Sequence, residues 1–320
     1  MRRIALIACG GTIAGRADAT GRFRPAGCAA DLLERTTVPP GIEVVPIDAL
    51  SVPSRAMSPT DVLGLVAMVE ELALAEPAQD GVVVTQGTDT LEETTYLFAL
   101  TCSTRIPMVF TGAMRPSVVA GSDGPANITA ALVVANDPEG AKLGPLVVFG
   151  DEIHAARWVT KVHSTRPAAF ASPGAGPVGM VSEGRARLWG APSQAPLGRP
   201  PALPHTVELL WMASGDDGRL AAAAGRHADG LVVAGMGGGH VPPAVATVLS
   251  GLARRIPVIL ASRCAAGPVL ASTYRGAGAE SDLIEQGLLP VGNLHPVKAR
   301  LRLMVGLALG VPASALFPVD

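Results

Sequence analysis

Short apolar runs recur through the first half of the chain, each closed by glycine or polar residues: 4–8 (IALIA), 42–47 (IEVVPI), 81–87 (GVVVTQG), 106–112 (IPMVFTG) and 144–150 (GPLVVFG). The runs are continuous rather than alternating, which predicts strands buried on both faces. Stretches of helical length separate several of them. Ser58-Pro59-Thr60-Asp61 opens one: serine caps, proline suits the first turn, and an acid follows three residues after the cap. Residues 90–101 and 125–136 read the same way. Strand–helix alternation with such strands predicts an α/β fold, a mostly parallel sheet with helices on both faces.

Residues 151–189 change pattern. DEIHAARWVTK and GMVSEGRARLWG alternate in polarity like hairpins. The proline-rich segment 190–205 has the composition of a linker. Alternation then resumes with VELLWMA, GLVVAG, a helix over 243–253, IPVILAS and a helix over 296–309. The expected organisation is an N-terminal catalytic α/β domain (1–189), a linker (190–205) and a smaller C-terminal α/β domain (206–320).

Composition narrows the function classes. The formal net charge is −2 and no lysine- or arginine-rich block occurs, so nothing points to nucleic acid or an anionic membrane. The four cysteines form no CxxC pair and the six histidines show no HExxH or HxH spacing, so neither metal nor cofactor is expected. Arg2-Arg3 imitates a signal peptide, but the apolar stretch behind it is too short for export and no run is long enough for a membrane span. A cytoplasmic protein is expected.

In open α/β sheets ligands bind beyond the C-terminal ends of strands, here the loops ACGGTIAG, VTQGTDT, FTGAMRPS and AGMGGGH. The first lacks both GxGxxG with a following acid and GxxxxGKS, so a nucleotide cradle does not fit; a small-ligand loop bearing the Thr12 hydroxyl does. AGMGGGH reads as a tight turn, with His240 and His295 as surface or interface groups. The second loop gathers Thr85, Gln86, Thr88, Asp89 and Thr90 at a helix start, where threonine and aspartate serve as N-caps or as part of a site. Backbone N–H groups there suit a developing oxyanion. A threonine hydroxyl needs a base. No histidine lies near either loop in sequence, and the chain has three lysines, Lys142, Lys161 and Lys298. A lysine serves as base when burial favours its neutral form, and Lys161 in RWVTKVH reads either so or as a solvated surface group.

The ordered set ACGGTIAG, VVVTQGTDTLEET, GAMRP, SDGPANI and RWVTK, with SR at 262–263 and HPVKARLRL at 295–303, resembles the bacterial-type L-asparaginases from residue 4 to about residue 309. The resemblance implies hydrolysis of the side-chain amide of asparagine, and weakly of glutamine, to the acid and ammonia. It implies a nucleophile at Thr12 and a second catalytic group of Thr88, Asp89 and Lys161, with Lys161 as base for Thr88 and Asp89 holding the substrate ammonium. The sequence does not choose which threonine attacks. Ser54 matches the serine on the substrate carboxylate, and the Thr88 N–H with Ala113 matches the oxyanion and amide contacts. A homo-oligomer, dimer or tetramer, is implied.

The chain departs from that pattern. Phe23 stands where the family usually has tyrosine, Arg55 where it often has glutamine, and the substrate-contacting asparagine is missing around SGDDG. Glu280 matches the glutamate that a neighbouring subunit supplies. Lost hydrogen bonds imply weaker substrate binding, about 1 kcal/mol each. Two other readings stand beside this one: a related amidohydrolase acting on glutamine, a D-amino acid amide or an RNA-borne glutaminyl group, and a ligand-sensing protein on the same scaffold.

Overall fold

The computed structural model describes residues 1–17, 23–25, 27–190 and 195–318. The chain divides into two compact units, Met1–Pro196 and Leu197–Asp320.

The first unit is organised on an eight-stranded sheet. Its central strands β1 (Arg2–Ala8), β5 (Gly81–Thr85), β6 (Met108–Thr111) and β7 (Leu146–Phe149) run parallel; a small antiparallel hairpin, β2 (Gly15–Ala17) and β3 (Phe23–Pro25), follows β1 outside the sheet. β4 (Ile42–Asp48) is parallel to β1 and forms one edge. Proline lacks a ladder donor and is confined to such edges, and Pro46 sits there opposite Leu6. At the other end the sheet turns antiparallel through β8 (Glu152–Ala155), β11 (Gly179–Ser182) and β12 (Arg185–Leu188). β9 (Thr160–Lys161) and β10 (Phe170–Ala171) pair only with each other.

Helices cover both faces, as the continuous apolar runs require. On one face α1 (Ala29–Glu34) and α4 (Gly124–Ala135) bury Leu32, Ile128 and Leu132 against Leu6, Val83, Val109 and Val148. On the other lie α2 (Pro59–Leu74) and α3 (Leu91–Thr101), where Phe98 meets Phe110 edge to face at 4.9 Å. α2 starts as its sequence predicts: Ser58 Oγ accepts from the Asp61 N–H at 3.2 Å and Asp61 Oδ2 accepts from the Ser58 N–H at 2.8 Å.

The strand order fixes where a ligand belongs. From β1 the chain moves outward to β4, then crosses back to β5 on the opposite side of β1 and continues outward to β6 and β7. β1 and β5 therefore form a topological switch point, where successive connections diverge and open a crevice.

The second unit carries a four-stranded parallel sheet, β13 (Val207–Trp211), β14 (Gly230–Gly235), β15 (Val258–Ser262) and β16 (Leu289–Pro290). It is flanked by α5 (Arg219–Ala224), α6 (Pro243–Ala253), α7 (Glu280–Glu285), α8 (Pro296–Ala308) and α9 (Ala313–Leu316). β14 and β15 are wholly buried, and α8 packs across β13, β14 and β15. Among the described residues no helix is long and apolar enough to cross a membrane.

Candidate functional site

Two loops leave the switch point, and backbone contact holds them together. After β1 come Gly10 and Gly11 at φ 87° and 86°, then a single turn over Thr12–Ala14. Gly11 has ψ −174°, a conformation essentially restricted to glycine. A β-carbon added there would lie 2.2 Å from the Gly87 nitrogen and 2.4 Å from its α-carbon. The residue before Thr12 thus abuts the residue before Thr88. Gly87 in turn leaves no room for a side chain, because Ser54 Oγ lies 2.6 Å from where its β-carbon would stand.

The loop after β5 does not cap its helix through Thr88 or Asp89. Helix α3 has Thr90 at its N-cap, with no side-chain capping bond. The polar side chains of this loop go elsewhere. Lys161 Nζ donates to Thr88 Oγ1 at 2.9 Å and pairs with Asp89 Oδ1 at 2.8 Å. Ser54, in a short turn over Ser54–Ala56, accepts the Asp89 N–H on Oγ at 3.2 Å, and its carbonyl accepts from the Thr90 hydroxyl at 3.0 Å. Thr88 and Ser54 are buried, and the Lys161 side chain is 16% exposed against 60% for Asp89. One amine is thus largely removed from water, held between a hydroxyl and a carboxylate that faces solvent.

The loop after β6 closes a third side. A β-carbon at Gly112 would lie 2.7 Å from the Gln86 carbonyl oxygen and 3.1 Å from Thr88 Cγ2, so Gly112 and the buried Ala113 press against the Thr88 loop. This loop is irregular and is held from α4. The Asp123 carboxylate accepts from the Met114 and Arg115 N–H groups at 2.9 and 2.8 Å. Asn127 donates to the Gly112 carbonyl at 3.0 Å and accepts from the Gly150 N–H at 3.1 Å. These two residues belong to the SDGPANI motif, whose work in the site sequence reasoning missed; an acid and an amide four positions apart at a helix start were its signal.

Thr12, Ser54, Thr88, Asp89 and Ala113 lie in the first unit on loops packed together, and Lys161 of β9 reaches Thr88 and Asp89. Arg55 is exposed beside Ser54. Phe23 belongs to β3, and its side chain lies outside the described residues. Glu280 lies in the second unit, at the start of α7. It is wholly buried and accepts from the Thr273 and Tyr274 N–H groups at 2.9 and 2.7 Å and contacts His240 Nε2 at 3.0 Å. Burial pushes its carboxyl up, but the Tyr274, Thr273 and His240 hydrogen bonds outweigh that and hold it below the usual value. Its oxygens hold its own loop through the Thr273 and Tyr274 N–H groups. His240, which the sequence suggests is a surface or interface group, is half-buried against that carboxylate and stacks edge-on with Tyr274 at 5.1 Å. Among the described residues no cluster of three or more His, Cys, Asp or Glu could hold a metal ion.

The arrangement supplies hydroxyls, an amine beside one of them, and a carboxylate at the rim. That set suits acyl transfer to a hydroxyl with a small zwitterion gripped at its charged end. Comparison with known proteins places the chain in a family. Residues 3–194 match the family model described as "Asparaginase, N-terminal", and residues 206–316 match "Glutaminase/Asparaginase C-terminal domain". A probable L-asparaginase of Deinococcus radiodurans is 39% identical over 317 residues, covering 96% of this chain and 94% of the relative. An L-asparaginase of Bacillus licheniformis is 31% identical, covering 96% of both. The crystal structure of a probable cytoplasmic L-asparaginase from Campylobacter jejuni superposes with a TM-score of 0.85 at 30% identity, over 99% of this chain and 98% of that one. The chain belongs to the asparaginase family and is an amidohydrolase.

Proposed function

We propose that the protein hydrolyses the side-chain amide of L-asparagine to L-aspartate and ammonia through a threonine nucleophile, with weak activity on glutamine. The observation that carries this reading is the Lys161 amine, largely shielded from water, 2.9 Å from Thr88 Oγ1 and 2.8 Å from Asp89 Oδ1. A hydroxyl in contact with an amine has a route for its proton. Acting as base, Lys161 Nζ accepts the proton of the attacking threonine, from Thr88 directly or from Thr12 by way of the Thr88 hydroxyl, and returns it to the departing amide nitrogen as the threonine oxygen bonds to the amide carbon. The amide carbon–nitrogen bond breaks, ammonia leaves, and water then cleaves the acyl ester. Charge that develops on the amide oxygen meets the Thr88 N–H and the Ala113 backbone, and such donors are worth about 2–4 kcal/mol each.

Recognition follows from the rim. Asp89 is open enough to receive the substrate ammonium. Ser54 Oγ accepts from the Asp89 N–H, which leaves its own hydrogen available to donate to the substrate carboxylate, with Arg55 beside it. The Campylobacter jejuni neighbour, described as cytoplasmic, supports a cytoplasmic location; a homo-oligomer, dimer or tetramer, rests on the sequence resemblance alone.

The test is ammonia release from millimolar L-asparagine by the wild type, Thr12→Ala and Lys161→Met. Loss of a positioned base costs about 10²–10⁴-fold, while stability should change little because pairs that reach solvent contribute about 0–1 kcal/mol. Equal turnover by all three proteins would remove this mechanism.

A further inference from the structure

Lys161 sits on weak foundations. β9 and β10 have two residues each and pair only with each other. A two-stranded ribbon is marginal on its own even at greater length. The place of the Lys161 amine is therefore decided by whatever fastens this hairpin to the main sheet.

Two fasteners are visible. His154 lies in β8, opposite Val147 of β7, and so belongs to the eight-stranded sheet. Its imidazole is wholly buried, and Nδ1 lies 3.0 Å from the hydroxyl of buried Ser172, the residue immediately after β10. Nε2 lies 3.3 Å from Glu152 Oε2. Nδ1 and the Ser172 hydroxyl share one hydrogen bond, whose direction the imidazole tautomer sets. Beside this bond Phe149 of β7 packs on Phe170 of β10, ring centroids 4.8 Å apart. Phe170 is the residue directly opposite Lys161, and the next rung is the Val162 N–H donating to the Ala169 carbonyl at 2.8 Å. From sheet to amine the chain of contacts is short: His154, Ser172, Phe170, Lys161, Thr88.

We propose that His154 and Ser172 are positioning residues for Lys161, setting the reach of its amine to Thr88 without touching the substrate. The inference rests on the reading of Lys161 as the proton acceptor. A serine beside a histidine beside a glutamate invites comparison with a nucleophilic triad, but the serine and histidine are buried, and holding a hairpin is what their place in the fold allows.

The experiment compares steady-state kinetics of Ser172→Ala, Ser172→Thr, His154→Asn and Lys161→Met, with amide exchange at Val162 as a readout independent of activity. Displacing a catalytic group by an ångström costs up to about 100-fold in rate. Ser172→Ala should lower kcat by tenfold or more toward that limit, with KM within about threefold because the gripping residues Ser54 and Asp89 keep their backbone. Val162 exchange should quicken. Ser172→Thr retains the hydroxyl, His154→Asn places an amide near Nδ1 that can accept or donate, and both should retain most of kcat. Wild-type kcat in Ser172→Ala beside an inactive Lys161→Met would overturn this inference and leave the functional reading intact. Wild-type turnover in Lys161→Met would overturn the functional reading and this inference with it. If Ser172→Ala does not fold, Phe149→Leu loosens the same hairpin from its other fastener, and an unchanged kcat there also overturns the proposal.

Discussion

Replacing Gly11 with alanine is the sharpest probe of how the site is assembled. The added carbon would sit 2.2 Å from the Gly87 nitrogen and 2.4 Å from its α-carbon, backbone atoms that no rotamer change can move aside. Ordinary contact begins at about 3.5 Å, so the two loops must separate by roughly an ångström. The backbone conformation at φ 86°, ψ −174° adds strain of about 1–3 kcal/mol for any residue with a side chain, and overpacking adds about 1–3 kcal/mol more. The total is about 2–6 kcal/mol, within reach of a folded protein's stability margin of about 5–15 kcal/mol. An ångström between Thr12 and the Thr88 loop should cost about 100-fold in turnover. Gly41→Ala is the matched control: φ is 81° and nothing lies within 4 Å, so strain arises without displacement. Ammonia release and thermal unfolding, measured on both variants, separate the two effects. Gly41→Ala should lose stability and keep kcat; Gly11→Ala should lose both. A folded Gly11→Ala enzyme with wild-type kcat would refute the claim that the two loops must touch for Thr12 to act.

Two further outcomes follow from groups outside the reacting set. Cys9 is buried at the end of β1, and burial pushes its thiol up to about 12, whereas Cys264 is exposed; native-state alkylation read by mass spectrometry should modify Cys264 and leave Cys9 unreacted until the protein is unfolded. Glu280 has a folded value held below its ordinary 4.5, so its contribution is complete above that pH and disappears as pH falls through the lower folded value. Thermal unfolding of Glu280→Gln should therefore show a flatter dependence on pH in the acid range than wild type, and parallel curves would rule out the carboxylate as a source of acid sensitivity.

Much of the framework is legible from local pattern. The parallel strands announce themselves because burial on both faces demands unbroken apolar runs, and α2 because Ser58 and Asp61 satisfy each other within one turn. Pro46 marks β4 as an edge for a reason visible in sequence, its missing donor. The family resemblance named Thr12, Ser54, Thr88, Asp89 and Lys161, but residue types alone could not decide between capping and chemistry at Thr88. The contact of Thr88 with a lysine 73 positions away is visible only in the fold. The roles of His154, Asp123 and Asn127 are illegible for the same reason: each acts through partners on other elements. The Thr273 and Tyr274 N–H groups that engage the Glu280 carboxylate are likewise visible only once its loop is folded.

The switch point has a consequence for how the protein comes into being. β1 is made first, yet one of its two neighbours, β5, begins only at Gly81, and the amine that completes the constellation arrives at Lys161. On the proposed mechanism, a nascent chain therefore carries Thr12 for well over a hundred residues of synthesis before the base is made. Pairings so distant along the chain form slowly, and no truncated product ending before Lys161 should release ammonia, so partial synthesis yields an inert polypeptide rather than an unregulated hydrolase.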